Sequence, residues 1–365
     1  MIYFDANASE ILRDVARDAL VQALDCVGNP SSIHQAGRAA RRMLEQARTQ
    51  VATLAGAQPS EVIFCSGGTE ANATAIAALG ADRVVLTGAT EHPSVLSASP
   101  DAERLPVCAD GTLDLPALEA ALSRTPPALV CLMLANNETG VLHPIEEAAR
   151  LCRAHGALLH VDAVQAAGRV PIDMARQGAT TLAISAHKLG GPQGAGALIT
   201  TPGLPIAPLI PGGGQERGRR GGTPALPAIA GFGAAAAEAN GAAHLAVLRD
   251  RLERAAIARG AFVCGRGPRL PNTTCLALPG VRSETQVIAL DLAGIAVSAG
   301  AACSSGKISA SHVLAAMGLS EFAGCAIRVS LPWNATEAEI DAFIAAYGAL
   351  ADRLAHRAPV PIFAA

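Results

Sequence analysis

A chain of 365 residues, half of them hydrophobic, is long enough for a sizeable core, and that length suits two domains around separate cores. A net charge of −3, scattered arginines and only 3% aromatic residues exclude both an electrostatic footprint and a stacking platform for nucleic acid. No run of about 18 apolar residues occurs, and the start MIYFDANASE has no basic segment leading into an apolar one, so the reading is a cytoplasmic chain without membrane contact.

In chain order, the first informative stretch is FCSGGTEAN (64–72), where a strand end passes through a glycine pair to Thr69 and a helix. Helix-start amides beside a hydroxyl form a phosphate cradle, although the stretch matches neither the G-x-G-x-x-G nor the P-loop pattern. Four short apolar runs follow, RVVLTGA (83–89), ALVCLMLAN (128–136), ALLHVDA (157–163) and TLAISAH (181–187). They read as buried strands, with helical stretches such as IEEAARLCRAHG (145–156) between them, so the expected core is α/β around a largely parallel sheet. Each run ends in polar residues, and in such sheets ligands bind beyond the carboxyl ends of the strands. His92, in TEHPSV, is therefore as readily a catalytic or ring-stacking residue as a structural one. Asp162 either caps the next helix or holds the protonated ring nitrogen that a pyridoxal phosphate cofactor needs as an electron sink. Gln165 lies three residues further on.

The run AISAHKLGGPQG (183–194) carries a lysine in a chain whose 28 basic residues are otherwise arginine, apart from Lys307. Arginine stays charged, whereas a desolvated lysine can lose its proton and attack a carbonyl, which marks Lys188 as a nucleophile. Ser185 and His187 stand at the spacing needed to anchor the phosphate of an aldehyde held there. Residues 202–224 are dense in Pro, Gly and Arg and read as a long, irregular, functional segment. An Ala-rich helical stretch over roughly 225–258 then leads into the second domain. The nine cysteines form no C-x-x-C pair, which argues against a disulfide framework and a zinc ribbon, so no metal site is expected. Cys65 and Cys131 sit in apolar runs as small hydrophobes, while Cys303, in SAGAACSSGK, stands among small polar residues near Lys307 and reads as a reactive thiol. Arg328, in the strand-like CAIRVSLP, calls for an anion such as a substrate carboxylate.

These stretches, together with GNPSSIHQAGRAAR (28–41), NNETG (136–140), HVDAVQAAGRVPID (160–173), SAHKLGGPQGAGAL (185–198), PGGGQERGRRGGT (211–223), ACSSG (302–306) and SHVLAAMG (311–318), resemble the cysteine desulfurase family over nearly the whole chain. That family lies within the class V aminotransferases of the type I pyridoxal-phosphate fold. The resemblance implies a large domain over 16–243 with a mostly parallel seven-stranded sheet flanked by helices. It implies a smaller α+β domain from 1–15 and 244–365 that carries a mobile cysteine loop at about 299–310. It makes Lys188 the Schiff-base lysine, Asp162 the partner of the pyridine nitrogen, Gln165 a contact of the ring hydroxyl, and His92 the residue that stacks on the ring and shuttles protons. Gly68, Thr69, Ser185 and His187 hold the phosphate of pyridoxal 5'-phosphate, and Thr223 reaches the same phosphate from the other subunit of a homodimer. Asn137 and Arg328 hold the carboxylate of L-cysteine. The resemblance further implies that Cys303 takes the sulfur as a persulfide, releasing L-alanine, and passes it to an acceptor protein for iron–sulfur cluster assembly or thio-cofactor synthesis. A selenocysteine lyase or another β-eliminating class V enzyme has the same fold, but elimination needs no protein thiol, so the loop cysteine separates the two. The chain departs from the family pattern in its proline-free start, in Asn72-Ala73 where an Asn pair is usual, and in its short C-terminus.

Overall fold

The computed structural model describes residues 1–124, 127–239, 241–300 and 310–354, so the expected Cys303 loop and Lys307 lie outside the described residues. The apolar runs become a seven-stranded sheet in the order Val62–Cys65, Gly196–Thr200, Thr181–Ser185, Leu158–Asp162, Ala128–Met133, Val84–Gly88, Glu103–Leu105. Gly196–Thr200 runs antiparallel to both neighbours, and the strands from Thr181–Ser185 to Glu103–Leu105 are all parallel. Every residue of Ala128–Met133 is buried, as expected for a central parallel strand covered by helices on both faces. The sheet therefore places four parallel strand ends on one rim, where the sequence put its polar residues.

Helix Gln35–Leu54 lies against helix Leu226–Glu238 at a distance only small residues permit: a Cβ on Gly233 would come within 2.5 Å of the Ala47 Cα. The Ala-rich stretch 225–258 is not one helix but two, Leu226–Glu238 and Leu245–Ile257. Gly241, with φ of 79°, takes a left-handed backbone that an α-helix cannot contain and forces the break. Beyond it a second apolar core forms around Leu252, Leu276, Ile327, Phe343 and Tyr347, and Phe4 from the start of the chain joins it. Its antiparallel sheet runs Ser298–Ala299, Ala326–Ser330, Thr273–Ala277, Phe262–Cys264. Ile2–Tyr3 pairs in parallel with Ile295–Ala296, which ties the first residues to this second unit. Among the described residues no helix is long and apolar enough to cross a membrane.

The segment 202–224 is held by a buried ion pair. Glu216 and Arg217 adopt left-handed φ values of 48° and 59° in the turn Gln215–Gly218. The Glu216 carboxylate accepts from Arg48 Nη1 at 2.7 Å and Nη2 at 2.8 Å, and from the Phe64 amide at 2.9 Å. Removing one partner of such a pair leaves the other charge buried and alone. Glu216→Ala is therefore expected to lower the unfolding free energy by about 3–5 kcal/mol, and Glu216→Gln by less. Urea unfolding at fixed protein concentration measures both.

Candidate active site

The rim gathers one cavity of about 480 Å³, lined by residues from the ends of four of the five parallel strands. His92 follows Val84–Gly88, Asn137 follows Ala128–Met133, Asp162 closes Leu158–Asp162 with Gln165 beyond it, and Ser185, His187 and Lys188 complete Thr181–Ser185. Gly68 and Thr69 enter from the start of helix Gly68–Gly80, and Arg328 enters from the second sheet. All the expected site residues line this cavity except Thr223 and Cys303. Thr223 is exposed in a separate recess beside Cys65, Ser66 and Arg220, and Cys303 lies outside the described residues.

Lys188 ends a one-turn 3₁₀ segment, Ala186–Lys188, that carries the chain off its strand. Its Nζ donates to the carbonyls of Asn7, at 2.6 Å, and Ala8, at 2.9 Å. Burial pushes the ammonium down to about 7; Arg328 and Arg169 add to this, and Asp5 and Asp162 oppose it. A large part of this lysine is thus a neutral amine near neutral pH, the form that attacks a carbonyl.

Asp162 is buried, and its two oxygens accept from the Asn72 amide at 2.7 Å and from the Val164 backbone N–H at 2.9 Å. His92 opens to the cavity, and the protein around it still lowers its pKa through desolvation, with Asp162 opposing and Lys188 and His312 assisting. Its Nδ1 accepts from the Ser94 backbone N–H at 3.1 Å, capping the short helix Pro93–Leu96.

The other end of the cavity is built for an anion. The helix Gly68–Gly80 begins at Gly67 with no side-chain cap, so its first amides lack intrahelical partners. A Cβ on Gly68 would stand 2.6 Å from Val164 Cγ2, so glycine keeps this turn tight. Ser185 Oγ lies 2.9 Å from His187 Nδ1, and His187 is held neutral by burial and by Lys188, which bring its pKa to about 4. Free amides, two hydroxyls and a neutral histidine make a donor set for phosphate. With an acid and a poised amine further along the same cavity, these residues fit pyridoxal phosphate.

The N-terminal segment contributes as well, which the sequence alone did not reveal. Asp5 Oδ1 accepts from Arg328 Nη2 at 2.7 Å, Arg328 Nη1 donates to the Asn137 carbonyl at 3.1 Å, and Arg328 Nε is buried without a partner among the described residues. Asn7 offers its carbonyl to Lys188 and, at 3.0 Å, to Gln165 Nε2, while its side chain donates to the Asn137 carbonyl at 3.1 Å. Asn72, noted in the sequence only as a departure from the family pattern, and Ser94 were also missed as site residues. A buried Asn in the Ala-rich GTEANATAIAALG was the available signal, because an amide there needs polar partners.

A model of the aminotransferase class-V family matches residues 2–343. The chain is 46% identical to a protein of Cereibacter sphaeroides named cysteine desulfurase, with 98% of this chain and 97% of that one covered. It is 40% identical to the cysteine desulfurase NifS of Azotobacter vinelandii, covering 94% of this chain and 90% of the relative. Among solved structures, a NifS-like protein from Rickettsia africae superposes with a TM-score of 0.90 at 35% identity, covering 96% of this chain and 99% of the other. The match takes in both sheets and every residue that lines the cavity, and the chain belongs to the aminotransferase class-V family.

Proposed function

We propose that this chain is a pyridoxal-phosphate-dependent cysteine desulfurase that takes sulfur from L-cysteine and releases L-alanine. The observation that carries the reading is Lys188, an amine with its pKa near 7, set in one cavity with Asp162, a donor-rich anion cradle and Arg328. Near-full-length likeness to proteins of that name supports it.

When bound, pyridoxal phosphate supplies the electron sink for the substrate carbon. Gly68, Thr69, Ser185 and His187 bind its phosphate, and Thr223 of a second copy adds a hydroxyl in a homodimer. Asp162 would hold a proton on the ring nitrogen, Gln165 would meet the ring hydroxyl, and His92 would lie against the ring. Arg328 and Asn137, which both line the cavity, would bind the carboxylate of the substrate. Lys188 would take the Cα proton of the bound substrate on Nζ. The Cys303 thiolate attacks the substrate sulfur, an S–S bond forms as the C–S bond breaks, and the electron pair left on carbon takes a proton to give alanine. Cys303 then carries a persulfide to an acceptor protein.

Supplying the purified holoenzyme with cysteine and assaying sulfide and alanine together tests this, in the presence of a thiol that releases the persulfide sulfur. Equal yields of the two are expected. Cys303→Ser is expected to retain bound cofactor but lose sulfide release by about 10²-fold or more. Wild-type rates of both products from Cys303→Ser would refute the reading.

A further inference from the structure

Asn72 is 1% exposed, and its amide meets three side chains. Nδ2 lies 2.7 Å from Asp162 Oδ2 and 2.9 Å from Ser94 Oγ, and Oδ1 lies 3.0 Å from His160 Nε2. The direction of each bond follows from the carboxylate. Both Asp162 oxygens accept, so Asn72 must present its NH2 group there and its oxygen to His160. His160 is fully buried, and burial brings its pKa to about 4, so it is neutral with a single N–H. That proton sits on Nε2 and goes to Asn72, leaving Nδ1 to accept from the Thr181 hydroxyl at 2.9 Å. On the other side, Ser94 Oγ accepts the second Asn72 N–H and turns its own proton to His92 Nδ1, 2.8 Å away. The Ser94 backbone N–H points at the same nitrogen. Two donors converge on His92 Nδ1, and a nitrogen so placed carries no proton.

We infer that Asn72 is a positioning residue that joins Asp162 to His92, one N–H holding the carboxylate and the other, through Ser94, fixing the His92 tautomer with its proton on Nε2. His92 then gives a proton or hydrogen bond from Nε2 and accepts none there until that proton has left. The inference deepens the proposed function and rests on it for the roles of Asp162 and His92. Among the described residues, the charged and titratable groups facing His92 are Asp162, Lys188 and His312; Asp162 favours the imidazolium, and the other two act with burial against it.

The test is ¹⁵N NMR of histidine-labelled holoenzyme, with the His92 signals identified by their loss in His92→Gln. In the wild type, above the His92 midpoint, Nε2 is expected to be protonated and Nδ1 bare. Ser94→Ala removes the hydroxyl donor and Asn72→Ser removes the N–H that turns that hydroxyl, while the backbone N–H of residue 94 stays in both, so Nδ1 should gain part of a proton and the midpoint should move to higher pH. A proton on Nδ1 in the wild type overturns the inference, as does an unmoved tautomer and midpoint in either folded variant. Should Asn72→Ser not fold, the wild-type tautomer and the response of half-buried Ser94→Ala together decide: a bare Nδ1 that gains its proton in Ser94→Ala supports the relay, and any other pair of results overturns it. Sulfide release is assayed on the same wild-type sample. An inactive protein with the expected tautomer refutes the functional reading alone, and an active one with the proton on Nδ1 refutes the relay alone.

Discussion

Lys188→Ala and Lys188→Arg are both expected to purify without the visible absorbance of a lysine-bound cofactor and to lose turnover by about 10³-fold or more. The arginine variant is the informative one, because it keeps the length and the charge. A guanidinium cannot shed its proton near neutral pH and so cannot take the nucleophile's part. Lys188 reaches the neutral form near pH 7 because burial, Arg328 and Arg169 destabilise its charge. The sign follows directly: the reactive amine is scarce below about 7 and dominant above it. Cofactor uptake by cofactor-free wild type should therefore speed up as pH rises through about 7 and level off beyond. Stopped-flow absorbance on adding pyridoxal phosphate measures this, and an uptake rate that falls across that range would contradict the role given to Lys188.

Asp162→Asn is expected to keep cofactor but lower turnover by about 10²–10⁴-fold, since the charge opposite the ring nitrogen is gone while the shape remains. The structure adds a second cost. Both Asp162 oxygens accept hydrogen bonds, one from Asn72 and one from the Val164 amide. An asparagine has one acceptor oxygen, so its NH2 must face one of those two donors. Cofactor content and turnover measured on the same sample separate binding from chemistry. Turnover within threefold of the wild type would falsify the assignment.

What the sequence revealed of the site was what stood at strand ends. Lys188, Asp162 and His92 are legible because a buried aliphatic run that stops on a polar residue points to the rim, and parallel sheets bind ligands there. Gly68 and Thr69 were legible as a strand-to-helix turn. Four of the five parallel strands were found for the same reason, but the short edge strand Glu103–Leu105 and the antiparallel Gly196–Thr200 were not among the runs read as strands, and one glycine divided a helix that composition had made continuous. Asn72, Ser94, Asn7 and Asp5 were invisible as site residues for another reason. Their contacts are long-range, Asn72 reaching across 90 positions to Asp162 and Arg328 across 323 to Asp5, and no local pattern encodes such a pairing.

The segment that holds Lys188 from Asn7 has its own anchors at the far end of the chain. The Asn7 amide donates to Ser330 Oγ across 323 positions, and Ile2–Tyr3 pairs with Ile295–Ala296. A ribosome delivers Asn7 323 positions before Ser330. While the chain is being made, the sheet can assemble and Lys188 can emerge on its strand end, but the carbonyls that hold the amine have nothing to fasten them. Arg328, one source of the field that keeps the amine neutral, is also missing until then. The nascent chain thus carries the lysine before it has the surroundings that lower its pKa, and the neutral amine belongs to a chain made at least as far as Ser330.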